Sequence, residues 1–177
     1  DDMKVDDAGN VYATGNSVET GFTASLLTTV KYDTNGVQQW VAHYGTGLGA
    51  TAWAIDIDSA GNSYVTGNSD EGTTVIATIK YDSSGVQQWV ARYSSGTTQQ
   101  GAGVAVDTNE NVYVTGWTAN SLYSNNFITI KYNSQGIEQW NRIYAGPLSQ
   151  DSPSAITLDP TGNVYVTGVS MSKGPGG

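Results

Sequence analysis

Lys80-Tyr81-Asp82-Ser83-Ser84-Gly85-Val86-Gln87-Gln88-Trp89 decides the fold, because the same pattern stands twice more in the chain. It appears as Lys31-Tyr32-Asp33-Thr34-Asn35-Gly36-Val37-Gln38-Gln39-Trp40 and as Lys131-Tyr132-Asn133-Ser134-Gln135-Gly136-Ile137-Glu138-Gln139-Trp140. The three tryptophans are 49 and 51 residues apart. A fixed period of that size is the mark of a stacked-repeat architecture, in which each unit buries its apolar face only against its neighbours.

A second block alternates with the first. Asp6-Asp7-Ala8-Gly9-Asn10-Val11-Tyr12-Ala13-Thr14-Gly15 returns over 58–67, 107–116 and 159–168. Each unit reads as four short strands, which we call A to D. Strand A alternates apolar and polar residues, as in Ile55-Asp56-Ile57, and strand B is rich in β-branched and aromatic residues, as in Asn62-Ser63-Tyr64-Val65-Thr66. Strands C and D follow over 76–81 and 86–93. The A–B turn Asp58-Ser59-Ala60-Gly61-Asn62 and the C–D turn Asp82-Ser83-Ser84-Gly85 carry Asp at the start and Gly near the end: the carboxylate caps backbone N–H groups, and Gly supplies a positive φ. The expectation is all-β, with four-stranded antiparallel β-propeller blades of about 50 residues each. The boundaries fall at 1–51, 52–101 and 102–153 for three blades, with strand A of the first short, and at 154–177 for a half-blade of strands A and B.

The D-x-x-G-N-V-Y-V-T-G block followed by K-Y-D-x-x-G-x-x-x-W resembles the SBBP-type β-propeller repeat family over nearly the whole chain. That resemblance implies a toroid of seven blades in a bacterial or archaeal secreted or cell-surface protein, with binding or scaffolding more usual than catalysis. Three and a half blades cannot close a ring, so the chain reads as a fragment of a larger one. Its open blade edges would favour self-association.

Composition narrows the function. The 177 residues carry 7 Lys+Arg against 16 Asp+Glu, a net charge of −9, which leaves no electrostatic footprint for nucleic acid and none for an anionic membrane surface. No apolar run approaches a membrane span. The absence of Cys excludes disulfide scaffolds and thiol catalysis, and 18 aromatic residues exclude a chain that buries nothing. His43 is the sole histidine, and its repeat counterparts are Arg92 and Ile143, so no multi-histidine centre exists. The Gly45-Thr46-Gly47-Leu48-Gly49 run lacks the helix that a dinucleotide site needs. No catalytic residue is therefore assigned, and the alternative of a propeller enzyme would place its carboxylates partly in other blades.

No cofactor is expected. Calcium is the alternative reading of the Asp-rich turns at Asp56-Ile57-Asp58 and Asp107-Thr108-Asn109, although neither completes an EF-type ligand set. Trp40, Trp89 and Trp140 read as blade-to-blade packing residues, as do Tyr12, Tyr64, Tyr113 and Tyr165. Lys31, Lys80 and Lys131 read as outward lysines whose stems cover apolar surface.

The A–B and C–D turns are near copies of one another, whereas the B–C and D–A connections differ in length and composition. In an antiparallel blade the variable pair emerges on one face, which is where a protein or glycan would be read. Its candidates are Trp53, Trp117, Tyr123 and Phe22 as aromatic platforms, with Gln99, Gln100, Asn120 and Asn125 as hydrogen-bonding partners. A purely structural role, packing against other domains or copies of the chain, is the competing expectation.

Overall fold

A computed structural model describes residues 2–18, 24–121, 124–148 and 150–171. Those residues form fourteen antiparallel strands and no helix. Blade 1 comprises β1 (Asp2–Val5), β2 (Val11–Ser17), β3 (Leu26–Tyr32) and β4 (Gln38–Tyr44). Blade 2 comprises β5 (Ala50–Ile57), β6 (Ser63–Asp70), β7 (Thr74–Tyr81) and β8 (Gln87–Tyr93). Blade 3 comprises β9 (Gln99–Val106), β10 (Val112–Ser121), β11 (Ser124–Tyr132) and β12 (Glu138–Tyr144), and β13 (Asp151–Leu158) with β14 (Val164–Ser170) makes the half-blade. Every sheet runs in chain order, each strand beside the next. The first strands of successive blades (β1, β5, β9, β13) lie against one another, while the fourth strands fan apart. This wedge geometry is that of a partial propeller around a hub of first strands.

The blades begin earlier than 52, 102 and 154. The first strands start at Ala50, Gln99 and Asp151, so residues that read as connection are paired strand. The alternation that marks strand A is broken at its start, because Trp53, Ala102 and Ser154 are extra residues at register shifts that leave them unpaired.

Blades interlock through two alternating faces. Tyr12, Leu27, Ala42 and Tyr44 of blade 1 close over Ile55, Val65, Ala77, Ile79 and Tyr81 of blade 2. Tyr64, Ile76 and Ala91 of blade 2 close in the same way over Val104, Val114, Ile128, Ile130 and Tyr132 of blade 3. The repeated tryptophan locks each junction. Trp40 Nε1 donates to Ser83 O at 3.1 Å and Trp89 Nε1 to Ser134 O at 3.0 Å, so each indole reaches the C–D turn of the following blade. The glycine of that turn lies beneath the ring: a Cβ at Gly85 would stand 2.6 Å from Trp40, and one at Gly136 would stand 2.7 Å from Trp89. Glycine is thus required there twice, for φ near +80° and for the approach of the ring.

Candidate recognition face

The two ends of the wedge are built differently. At one end each A–B turn is closed by its own Asp. Asp58 Oδ1 accepts from Ala60 N at 2.9 Å and Asn62 N at 3.0 Å, and Oδ2 accepts from Asn62 Nδ2 at 2.7 Å and Tyr64 OH at 2.8 Å. Asp107 and Asp159 repeat this arrangement with Asn111 and Tyr113, and with Asn163 and Tyr165. Burial opposes ionisation of Asp58 and Asp107, yet the donated hydrogen bonds outweigh it and hold both carboxyls below their ordinary range. At Asp6 the Asn10 side chain leads the same lowering. Burial, reinforced by Asp58, pushes the Tyr64 hydroxyl far up.

The lysines do not point outward. Lys31, Lys80 and Lys131 place Nζ 4.8, 5.2 and 5.0 Å from the ring centroids of Tyr12, Tyr64 and Tyr113. Each lies between that Tyr and the Trp paired across the sheet, because Tyr, Lys and Trp are directly opposite one another on strands B, C and D. Cation–π attraction replaces snorkelling as the reason for the residue. Lys80 is buried and also meets Glu110 Oε2 at 2.6 Å. Glu110 stands at φ +60°, the place that Gly9, Gly61 and Gly162 take in the other A–B turns.

Clefts of about 420 and 410 Å³ lie at this end, between the A–B turns of blades 1 and 2 and between those of blade 3 and the half-blade. Four of their carboxylates, those of Asp6, Asp58, Asp107 and Asp159, are engaged in closing the turns, while Asp7 also lines the first cleft.

At the opposite end the B–C and D–A connections meet and are stitched together. Ala50 N donates to Ser25 O at 2.8 Å, Asp70 N to Gly49 O at 2.9 Å, and Ala119 N to Thr98 O at 3.0 Å. Thr46 Oγ1 donates to Asp70 O at 2.5 Å, and Ser95 shares a 2.9 Å hydrogen bond with Thr118. A bridge joins Asn125 to Gln150. The variable connections therefore do share one face, held by backbone bonds that constrain shape and leave side chains free to differ.

The candidates occupy that end in unequal ways. Trp53 is 40 % exposed and sits unpaired at the β5 bulge, on the hub side. Gln100, Trp117 and Phe127 stand in a row across β9, β10 and β11, with Tyr144 next on β12 and its ring 5.8 Å from Phe127. Gln99 is fully buried, its amide donating to Ser95 Oγ at 2.7 Å and to Thr97 O. It braces the D–A connection from within, as a side chain with no access to solvent must. Asn125 is half-buried at its bridge, and Asn120 lies in β10. Tyr123 and Phe22 fall outside the described residues. The structure thus brings Gln100 and Trp117 together and sets Trp53 on a different blade. Phe127 and Tyr144 were not among the expected residues, and their counterparts in blades 1 and 2, Leu27 and Ile76, Tyr44 and Tyr93, are apolar or aromatic too, so nothing in the repeat singles them out.

Residues 88–124 and 139–173 match the family model of the SBBP beta-propeller repeat. Both matches run from a fourth strand through the next two, so the family's unit spans a blade junction. No curated protein matches the chain. Among solved structures, a protein of unknown function from Bacteroides caccae aligns with a TM-score of 0.58 at 11% identity, over 93% of this chain and 51% of that one. The chain thus spans about half the length of that protein. A fucose lectin from Kordia zhangzhouensis, solved with methyl-fucoside, aligns at a TM-score of 0.45 and 12% identity, over 81% of this chain and 96% of that one. The tail fiber of Staphylococcus aureus phage P68 aligns at 0.33 and 10% identity, over 93% of this chain and 45% of that one. The fold is that of propeller repeats.

Proposed function

We propose that the chain is a non-enzymatic β-propeller recognition module, part of a secreted or cell-surface protein, that reads a glycan or protein segment with the face made by its B–C and D–A connections. One observation carries this reading. Near-identical turns closed by Asp, or once by Asn133, fill one end, while the other joins backbone-stitched connections of differing sequence to an exposed Trp53 and to the Gln100–Trp117 pair. Aromatic surface beside amide groups is the chemistry that stacks on a sugar ring or a peptide side chain while satisfying its polar edge.

The test is a screen of glycans and extracellular proteins against the 177-residue chain, followed by calorimetric titration of the Trp53→Ala and Trp117→Ala variants. Recognition expects either substitution to weaken a captured ligand by about tenfold or more with little change in melting temperature. A loss of melting temperature with unchanged binding would assign these residues to packing and support the scaffold reading instead. Turnover of a captured ligand would overturn the non-enzymatic reading.

A further inference from the structure

Two junctions between complete blades lie inside the chain, and they differ at the residue that meets the repeated lysine. In both, Tyr, Lys and Trp stand opposite one another: Tyr12, Lys31 and Trp40 in blade 1, and Tyr64, Lys80 and Trp89 in blade 2. The A–B turn of the following blade reaches each row. At the second junction that turn carries Glu110, whose Oε2 meets Lys80 Nζ at 2.6 Å and leaves the lysine 8 % exposed. At the first junction the same place is Gly61. Tyr12 OH donates to Gly61 O at 3.3 Å, and a Cβ at Gly61 would stand 3.0 Å from that hydroxyl and 3.5 Å from Ser83 Cβ. A side chain at 61 would therefore grow into the space that corresponds to the one Glu110 fills.

Without that side chain the first junction holds a cleft of about 360 Å³, lined by Lys31 and Trp40, by Asn10 and Gln39, by Ser83 and Ser84, and by Asp33. Lys31 is half-buried, and among the described residues no carboxylate forms an ion pair with it. Asp33 accepts from Asn35 N, Val37 N and Gln39 Nε2 at 2.9, 3.0 and 3.0 Å. Asp6, whose charge interacts with that of Lys31, accepts from Asn10 N and Asn10 Nδ2, both at 2.8 Å. The molecule thus presents the same cation twice, once capped by a carboxylate and once open to one. The cleft falls at the small end of ligand sites, roughly 300–1,000 Å³, which suits one small ring.

We propose that this cleft binds a hexuronate, an acidic sugar residue whose carboxylate takes on Lys31 Nζ the place that Glu110 Oε2 takes on Lys80 Nζ. The lysine selects the charge, because an ammonium–carboxylate hydrogen bond is of the stronger, charge-assisted kind. The remaining lining selects the ring. Ser83 and Ser84 bring hydroxyls, while Asn10 and Gln39, having donated to Asp6 and Asp33, keep their amide oxygens as acceptors for sugar hydroxyls. Trp40 adds an apolar wall for the C–H groups of a pyranose. The acidic side chain of a peptide would answer the lysine and leave the hydroxyl and amide groups unmatched. This site lies at the end of the wedge opposite the B–C and D–A connections, so it stands or falls independently of the recognition face there.

The test is a heteronuclear NMR titration of the 177-residue chain with methyl β-glucuronide, following the indole N–H signals of Trp40 and Trp89. Methyl β-glucoside serves as the uncharged sugar and N-acetylglutamate amide as the acidic-peptide probe. The expected result is a saturable shift of the Trp40 signal with Kd on the order of 1–10 mM, and glucoside weaker by about tenfold or more. Lys31→Met keeps the apolar stem and weakens glucuronide by about tenfold or more in a chain that stays folded. Glu110→Gly clears the second junction, so the Trp89 signal now shifts as well. Gly61→Glu fills the first junction and abolishes the Trp40 shift; should that variant not fold, Lys31→Met and Glu110→Gly decide. No saturation by about 100 mM glucuronide overturns the proposal, as does binding unchanged in Lys31→Met or a Trp89 signal that stays still in folded Glu110→Gly. Tighter binding of N-acetylglutamate amide than of glucuronide overturns the sugar and makes an acidic peptide the ligand.

Discussion

Asn16 reaches from blade 1 to accept a hydrogen bond from Ala52 N at 2.9 Å, satisfying a backbone donor at the bulge of the next blade's first strand. Asn68 does the same for Gly101 N at 3.2 Å. At the third junction both partners change together: Trp117 has no acceptor at that position, and Pro153 has no N–H to offer. An indole thus stands where the scaffold elsewhere needs an amide, without leaving a buried donor orphaned.

This exchange predicts a double-mutant cycle. Pro153→Ala creates an unpartnered N–H and should cost about 1–2 kcal/mol in urea unfolding, while Trp117→Asn in the same chain supplies the acceptor and recovers about 1 kcal/mol. Strictly additive effects would remove the compensation. Asn68→Ala should cost about 1–2 kcal/mol by the same reasoning.

Glu110 combines a left-handed backbone with an ion pair to buried Lys80. Glu110→Ala keeps the strain and loses the pair, for a loss of about 1–2 kcal/mol. Glu110→Gly also relieves the backbone and should cost about 1 kcal/mol less than Ala. Thermal melts of the two variants give the order, and Ala the more stable of the two would contradict it.

Stability should fall at both extremes of pH. Asp6, Asp58 and Asp107 titrate lower in the fold than in the unfolded chain, so the unfolded state takes up protons first. Their contribution is present above about pH 4 and fades as pH drops through that value toward the lowered native range. Tyr64, Tyr81 and Tyr132 are raised, chiefly by burial, so the unfolded chain ionises first and stability declines above about pH 10. Melting temperature across a pH series reads both limbs, and Asp58→Asn should flatten the acid one.

Chelator should leave the melting temperature unchanged. Both oxygens of Asp58 already accept two hydrogen bonds each, and a calcium ion would have to compete with them. A fall on addition of chelator would show that the turns hold metal.

Most of the blade was legible in sequence because its residues act locally. Asp58 and Asn62 close one turn, Lys80 faces Tyr64 across one strand pair, and period and residue type suffice to find them. Contacts between blades were harder to read. Nothing in the order of residues links Asn16 to Ala52, or the hub carboxylates of Asp2 and Asp56 to Ile55 N and Val106 N. Gln99 and Gln100 looked like loop residues, since a polar strand start beside a bulge lacks the alternation that marks a strand. The variable face was found from its differences in length. How its side chains group depended on register across sheets, which brought Phe127 beside Trp117.

The indole that seats on the following blade's turn gives the array a direction, since Trp40 and Trp89 each engage the glycine ahead of them. Damage should spread accordingly. A lesion at Trp89 weakens a single junction by about 3–5 kcal/mol and leaves the Trp40 junction's own contacts intact, so the chain comes apart at a seam before its blades melt. Cooperativity is therefore set by the junctions between blades.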